Sequence, residues 1–183
     1  GNIIATIGTG LFLNKFITET KNAEQEQAQL AAVLQSTGNA AGFTQKQLNL
    51  MADSLAKSSN YTAGQITEAQ TRLLSYARVT GDTLPRAMQN VIDMSARMGM
   101  DVRQSAETIG KALDIPSERL TALSRQGFKI TEEEKELVKA FEATGDVAKA
   151  QAIILQAVEG SYEGAALAAR NTLGGALTAL QKN

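Results

Sequence analysis

The sequence predicts an all-α fold, a multi-helix bundle of about seven or eight helices with a long N-terminal helix. Three observations carry this. Alanine is the commonest of the 183 residues, and alanine loses no side-chain entropy on entering a helix. Apolar residues recur at steps of three and four, and no stretch alternates with period two for long enough to make a strand. Between the periodic runs stand capping residues, glycines and the two prolines, which start and stop helices.

The first element spans residues 1–36 and reads as one long amphipathic helix. Leu13, Phe16, Thr20, Ala23, Gln27, Leu30 and Leu34 form a stripe with a heptad look, diluted by Thr20 and Gln27. Ile3, Ile4, Ile7 and Leu11 extend an apolar face at its start. The stripe either packs on the rest of the chain or also pairs with another chain. Gly38 suits the left-handed residue that closes a helix. Residues 37–183 then read as a compact helical domain, either separate from residues 1–36 or forming one domain with them.

Phe43-Thr44-x-x-Gln47-Leu48 has the form of a capping box with a hydrophobic staple, and Tyr61-Thr62-x-x-Gln65-Ile66 repeats that grammar. They predict helices over 45–57 and 63–79, with Leu48, Met51, Leu55, Ile66, Ala69 and Leu73 inward. A fourth helix starts at Asp82-Thr83 with Pro85 in its first turn, where a missing N–H costs nothing. Leu84, Met88, Val91, Ile92 and Met98 line one side of it, and Gly99 ends it. Asp101-x-x-Gln104 opens a fifth helix carrying Val102, Ala106, Ile109 and Leu113, and Pro116 stops it.

A short helix follows over 117–125, then the extended link Phe128-Lys129-Ile130. Thr131-x-x-Glu134 is a third capping box. Its Glu132, Glu133 and Glu134 suit the positive end of the helix dipole, which gives those acids a structural purpose. That helix carries Leu137, Val138 and Phe141 and closes at Gly145. Asp146 caps the next, with Val147, Ala150, Ile153, Ile154, Ala157 and Val158 inward and an interruption at Gly160. Residues 162–183 read as helix, break, helix.

Composition narrows the chemistry. The chain has no Cys, which excludes disulfides, thiolate metal sites and a cysteine nucleophile, and no His, the commonest general base. Its 18 basic and 19 acidic residues offer no basic excess of the kind that phosphate contacts demand, so specific nucleic-acid binding is not expected. The apolar run from Ile3 to Leu13 is broken by Thr6, Gly8, Thr9 and Gly10. It falls well short of the roughly 20 residues that span a bilayer and lacks a basic leader, so neither a transmembrane segment nor a signal peptide is expected. The chain opens on Gly1 and closes on Gln181-Lys182-Asn183, which reads as a piece of a longer protein.

The motifs that could hold a ligand read as structure. Gly110-Lys111 is followed by Ala112 and preceded at 105 by Ser, so it lacks the phosphate-loop pattern. Gly160-x-x-x-Gly164 points to tight packing or a helix break. Asn60-Tyr61-Thr62 matches a glycosylation acceptor by a short pattern only. Met88, Met94, Met98 and Met100 read as core fillers. No catalytic, cofactor-binding or metal-binding residue is selected, no cofactor is expected, and the expectation is that the chain is not an enzyme.

An ordered set of segments carries a resemblance. Ile109-Gly110-Lys111-Ala112-Leu113-Asp114 leads into Leu120-x-x-Leu123-x-x-x-Gly127 and Phe128-x-Ile130-Thr131. Gly145-Asp146, Ala150-Gln151, Ile154-Leu155, Tyr162-x-Gly164-Ala165-Ala166 and Gly174-Gly175-Ala176-Leu177 follow. Upstream stand Gln29-Leu30-x-x-x-Leu34-x-Ser36-Thr37-Gly38 and Ile66-x-x-Ala69-Gln70-x-x-Leu73. The set resembles the tape measure proteins of lambda-like long-tailed bacteriophages and their prophages, with Asp114-Ile115-Pro116 a departure in loop spacing.

That resemblance implies a structural protein of the virion tail, made in the host cytoplasm and lying inside the tail tube, where its length sets tail length during assembly. It implies other copies of the chain, the tail tube protein and tail assembly chaperones as partners, and an indirect part in DNA passage at ejection. Two other readings stay open: a peptidoglycan-degrading module of a tail protein, and an unrelated helical adaptor or secreted effector.

Overall fold

The computed structural model describes the backbone at residues 3–76 and 78–182, and side chains at 15, 17–76, 78–172, 174, 175, 177 and 180–182. Ten helical segments and no strand occur among these residues. Eight of them are α1 (Ile3–Ser36), α2 (Gln45–Lys57), α3 (Ala63–Leu74), α4 (Thr83–Met98), α5 (Val102–Asp114), α6 (Pro116–Arg125), α7 (Glu132–Ala143) and α8 (Val147–Tyr162). The C-terminal stretch adds two short ones, α9 (Ala165–Arg170) and α10 (Leu173–Gln181), the helix, break, helix that its glycines predict.

The 34 residues of α1 give a rod of about 50 Å at 1.5 Å per residue. It ends where Asn39 N donates to Leu34 O and Gly38 takes a φ of +61°, so the last carbonyls are satisfied by a left-handed turn. The side chains of Ile3, Ile4, Ile7, Leu11, Leu13 and Phe16 lie outside the described ones.

All three capping boxes form reciprocally. Gln47 N donates to Thr44 Oγ1 at 3.2 Å while Thr44 N donates to Gln47 Oε1 at 2.9 Å. Thr62 with Gln65 and Thr131 with Glu134 repeat the arrangement. Each box satisfies two backbone donors that a helix start otherwise leaves unpaired.

Several local expectations are corrected. α3 stops at Leu74, short of 79, because the chain turns at Ser75-Tyr76 and sends Val79 into the core from a loop tied by Gly81 N donating to Ala41 O. Asp82 and Asp146 make no cap bond; the Asp146 carboxylate instead pairs with Lys149 at 2.7 Å. Asp101 does cap, but it accepts from Arg103 N. Pro116 is the first residue of α6, where its fixed φ suits a helix start, as well as the end of α5. α8 runs through Gly160 to Tyr162, and the break falls at Gly164, whose φ is +78°.

α3 packs against α1, α2 and α5; α4 packs against α5, α8 and α9; α6 and α7 close the far side against α5 and α8. One continuous core results. Leu30, Leu48, Ile66, Leu73, Leu84, Met88, Ile92, Ile109, Leu113 and Ile154 are all buried in it. Each such side chain contributes about 1.5–3 kcal/mol relative to exposure, which is what orders the short helices. Two expected inward residues face out: Met98, in the last turn of α4, and Leu137 on α7. Of the methionines, Met88 and Met94 fill the core and Met98 does not.

Candidate functional site

Buried polar groups are costly unless paired, so the partners they find account for their place in this core; the sequence selects no catalytic, cofactor or metal residue among them. Gln151 on α8 is the most connected. Its amide donates to Arg78 O at 2.8 Å and to Leu113 O at 3.0 Å, tying α8 to the loop before α4 and to the end of α5. Asn90 on α4 donates to Leu155 O and to Glu159. Arg86 Nε donates to Glu159 Oε1 at 2.5 Å and its Nη2 to Glu159 Oε2 at 2.7 Å, a bidentate tie between α4 and α8. The guanidinium holds the Glu159 carboxyl below its ordinary range, and Arg86 is raised in return. Ser95 and Ser105 bond each other at 2.7 Å between α4 and α5, and Gln70 Nε2 donates to Leu48 O. These groups join helices; none is aligned with a second reactive group in an open cleft.

Asp93 is the buried carboxylate of the set. It accepts from Ala166 N at 2.9 Å, from Gly164 N at 3.3 Å and from Gln89 Nε2 at 3.1 Å. It therefore caps the start of α9 from another helix. Gln70 and Gln151 stand in segments that carry the resemblance, Ser105 was read only as a departure from the phosphate-loop pattern, and none of these buried polar residues was assigned a tie between helices from the sequence. Their readable signal is position: Asn90 and Asp93 fall on the buried side of α4 with Ala87, Val91 and Met94.

The other feature is the long face of α1. Its C-terminal part is docked: Leu30 is buried, and Gln27 exchanges hydrogen bonds with Asn49 while accepting from Gln45. Side chains at 15 and 17–25 are exposed, including Ile17. The stripe positions Ala23 and Thr20 thus lie on an exposed stretch, with Ala23 at the edge of the bundle beside α2 and α3. Glu19, Glu24 and Glu26 flank it at the positions beside the seam. A groove of about 530 Å³ runs between α1 and α3, lined by Glu26, Gln29, Glu68, Arg72 and Arg103 among others. Burial, and then the nearby Glu68, raise the Glu26 carboxyl above its ordinary range. The arrangement suits polar contact with another surface.

The remaining motifs resolve as structure. Glu132 pairs with Lys135 and Glu134 closes its capping box. Lys111 pairs with Glu107 inside α5. Gly110 is missing its side chain for a reason: a Cβ there would sit inside the edge of the Tyr76 ring. Gly160 faces open space, so the small-xxx-small spacing marks no close helix approach. No group of three Asp, Glu, His or Cys that could hold a metal ion occurs among the described residues, and no described helix is long and apolar enough to cross a membrane.

A family model described as prophage tail length tape measure protein matches residues 16–139. The match takes in the segments from Gln29 to Thr131 on which the resemblance rests and leaves those from Gly145 onward outside it. No curated protein and no solved structure shows a significant match. The family is one of structural proteins of the virion tail. With about two thirds of its residues inside the match, and a fold built of helices throughout the described residues, the chain belongs to the prophage tail length tape measure protein family.

Proposed function

We propose that this chain is a structural domain of a tape measure protein that lies inside the tail tube and sets tail length during assembly. The family match carries the reading. The physical case for a ruler is that a helix advances about 1.5 Å per residue, so span grows linearly with chain length. In this reading residues 37–183 form a compact helical domain on which the end of α1 is docked, and the exposed stretch within residues 1–36 is the arm that meets other copies of the chain. The exposed stretch of α1 supports the arm. The tail tube protein and the tail assembly chaperones are further partners, met first in the host cytoplasm and then in the virion. A part in DNA ejection follows from that location and requires no specific nucleic-acid binding.

The test is an in-frame deletion of residues 1–183 from the prophage gene, read as the tail-length distribution of induced particles by electron microscopy. The tails shorten by a fixed amount, at most about 275 Å if the deleted residues lie as continuous helix. Intact tails of unchanged length would defeat the reading.

A further inference from the structure

We infer that residues 164–182, α9 and α10 with their flanking turns, form a strap that opens and closes on the bundle as a unit, without the bundle unfolding. The strap lies outside the stretch that matches the family. α9 packs on α4, and α10 packs on α9. Among the described side chains of the strap only Ala166 is buried apolar, whereas α3, α4 and α5 each bury several large ones. Leu167, Leu177 and Leu180 all face outward. Among the described side chains, hydrophobic burial therefore contributes little to holding the strap down.

Directional polar bonds hold it at both ends. At the near end the Asp93 carboxylate accepts the backbone N–H groups of Gly164 and Ala166, a charge-assisted pair of bonds at the positive end of α9. Farther along, Arg170 Nη1 donates to Ser59 O at 3.3 Å. At the far end the Lys182 ammonium donates to Ala56 O at 2.9 Å, Ser59 O at 2.7 Å and Tyr61 O at 2.5 Å, the carbonyls around the end of α2. Water can replace every one of these partners when the strap lifts, so the net hold is far smaller than the number of bonds suggests. Elements with few buried apolar contacts are those that open below the global unfolding free energy.

Opening has a defined consequence. α9 forms one wall of an open cavity of about 320 Å³, with Ala166 and Ala169 on the strap side and Tyr61, Ser95, Ala96 and Met100 on the bundle side. Lifting the strap widens that cavity on its bundle side and bares the Asp93 carboxylate. The two ends of the strap are held by residues of different helices, so loss of the far latch must be felt at the near one if the strap moves as one body.

The test is amide hydrogen exchange by NMR on the 183-residue chain. The Ala166 amide, whose acceptor is buried Asp93, exchanges at least about tenfold faster than Val91 and Ile92 in α4. Arg170→Met with Lys182→Met, which removes only the far latches, raises Ala166 exchange a further ~fivefold or more and leaves α4 unchanged. Asp93→Asn raises it similarly, since Gly164 N and Ala166 N use different carboxylate oxygens and an amide has an oxygen at only one of the two places; if that variant does not fold, the far-latch variant decides alone. Ala166 exchanging in step with α4, or failing to respond to loss of the far latches, overturns the strap.

Discussion

Gly110→Ala is the substitution whose sign the structure reverses. In an exposed helix interior, glycine to alanine stabilises by about 1 kcal/mol, because alanine has less backbone freedom to lose. Gly110 lies in the middle of α5, with helical φ, and is buried. A Cβ built there would fall deep inside van der Waals contact with Tyr76 Cδ2 and Cε2 and 3.2 Å from Tyr76 Cγ. The ring must move, and overpacking of this kind costs about 1–3 kcal/mol. Setting about 2 against about 1 leaves Gly110→Ala destabilising by roughly 1 kcal/mol, or about 2–4 °C in Tm for a chain of this size. With Tyr76→Ala in the background the obstacle is gone, and Gly110→Ala then stabilises by up to ~1 kcal/mol. Urea denaturation of the four proteins of this cycle, followed by circular dichroism, gives all the terms. A stabilising Gly110→Ala in the parent, or the same sign in both backgrounds, refutes the close approach.

Three further predictions address the ties between helices. Gln151→Ala strands the carbonyls of Arg78 and Leu113 and destabilises by about 2–4 kcal/mol in the same assay; a loss below about 0.5 kcal/mol contradicts the brace. Arg86 lowers the folded-state pKa of Glu159, so the stability of that ion pair is present above the ordinary value of 4.5 and lost as pH falls through the lowered one. The pair is partly exposed, so Glu159→Gln costs about 0.5–1 kcal/mol at pH 7, and the gap in urea midpoint closes toward pH 3; a gap independent of pH refutes it. Self-association through the exposed stretch of α1 brings Glu19 and Glu24 of the copies together, so the weight-average mass in light scattering rises with salt as their repulsion is screened. A monomer at high protein concentration in both low and high salt removes α1 as the contact.

Interactions confined to one helical turn were legible in the sequence, and those joining distant elements were not. The Thr44, Thr62 and Thr131 boxes each need only residues three apart, so the pattern alone specifies them. The core faces of α3 and α5 were likewise visible as 3.6-residue periodicity. The end of α3 at Leu74 was not, because it depends on Val79 reaching the core and on Tyr76 lying over Gly110. Asp146 shows that an acid before a helix need not cap it when a lysine three residues on competes for the carboxylate. Met98 and Leu137 have apolar character and helical spacing, but the bundle does not extend far enough to cover them. Asp93 was hidden because its partners, Gly164 and Ala166, are some seventy residues away. Gln70, Asn90, Ser95 and Gln151 were likewise illegible as ties, because each bonds to a different helix or loop.

The account's central claim, that this chain is a length-bearing piece of a tail ruler, is tested most directly by adding to it. An in-frame tandem duplication of residues 1–183 in the prophage gene, with tail lengths measured by electron microscopy on particles from one induction, gives a single answer. The claim predicts one population of tails longer than the parent's by a constant increment of no more than about 275 Å. Particles that contain the duplicated protein and keep the parental tail length would contradict it.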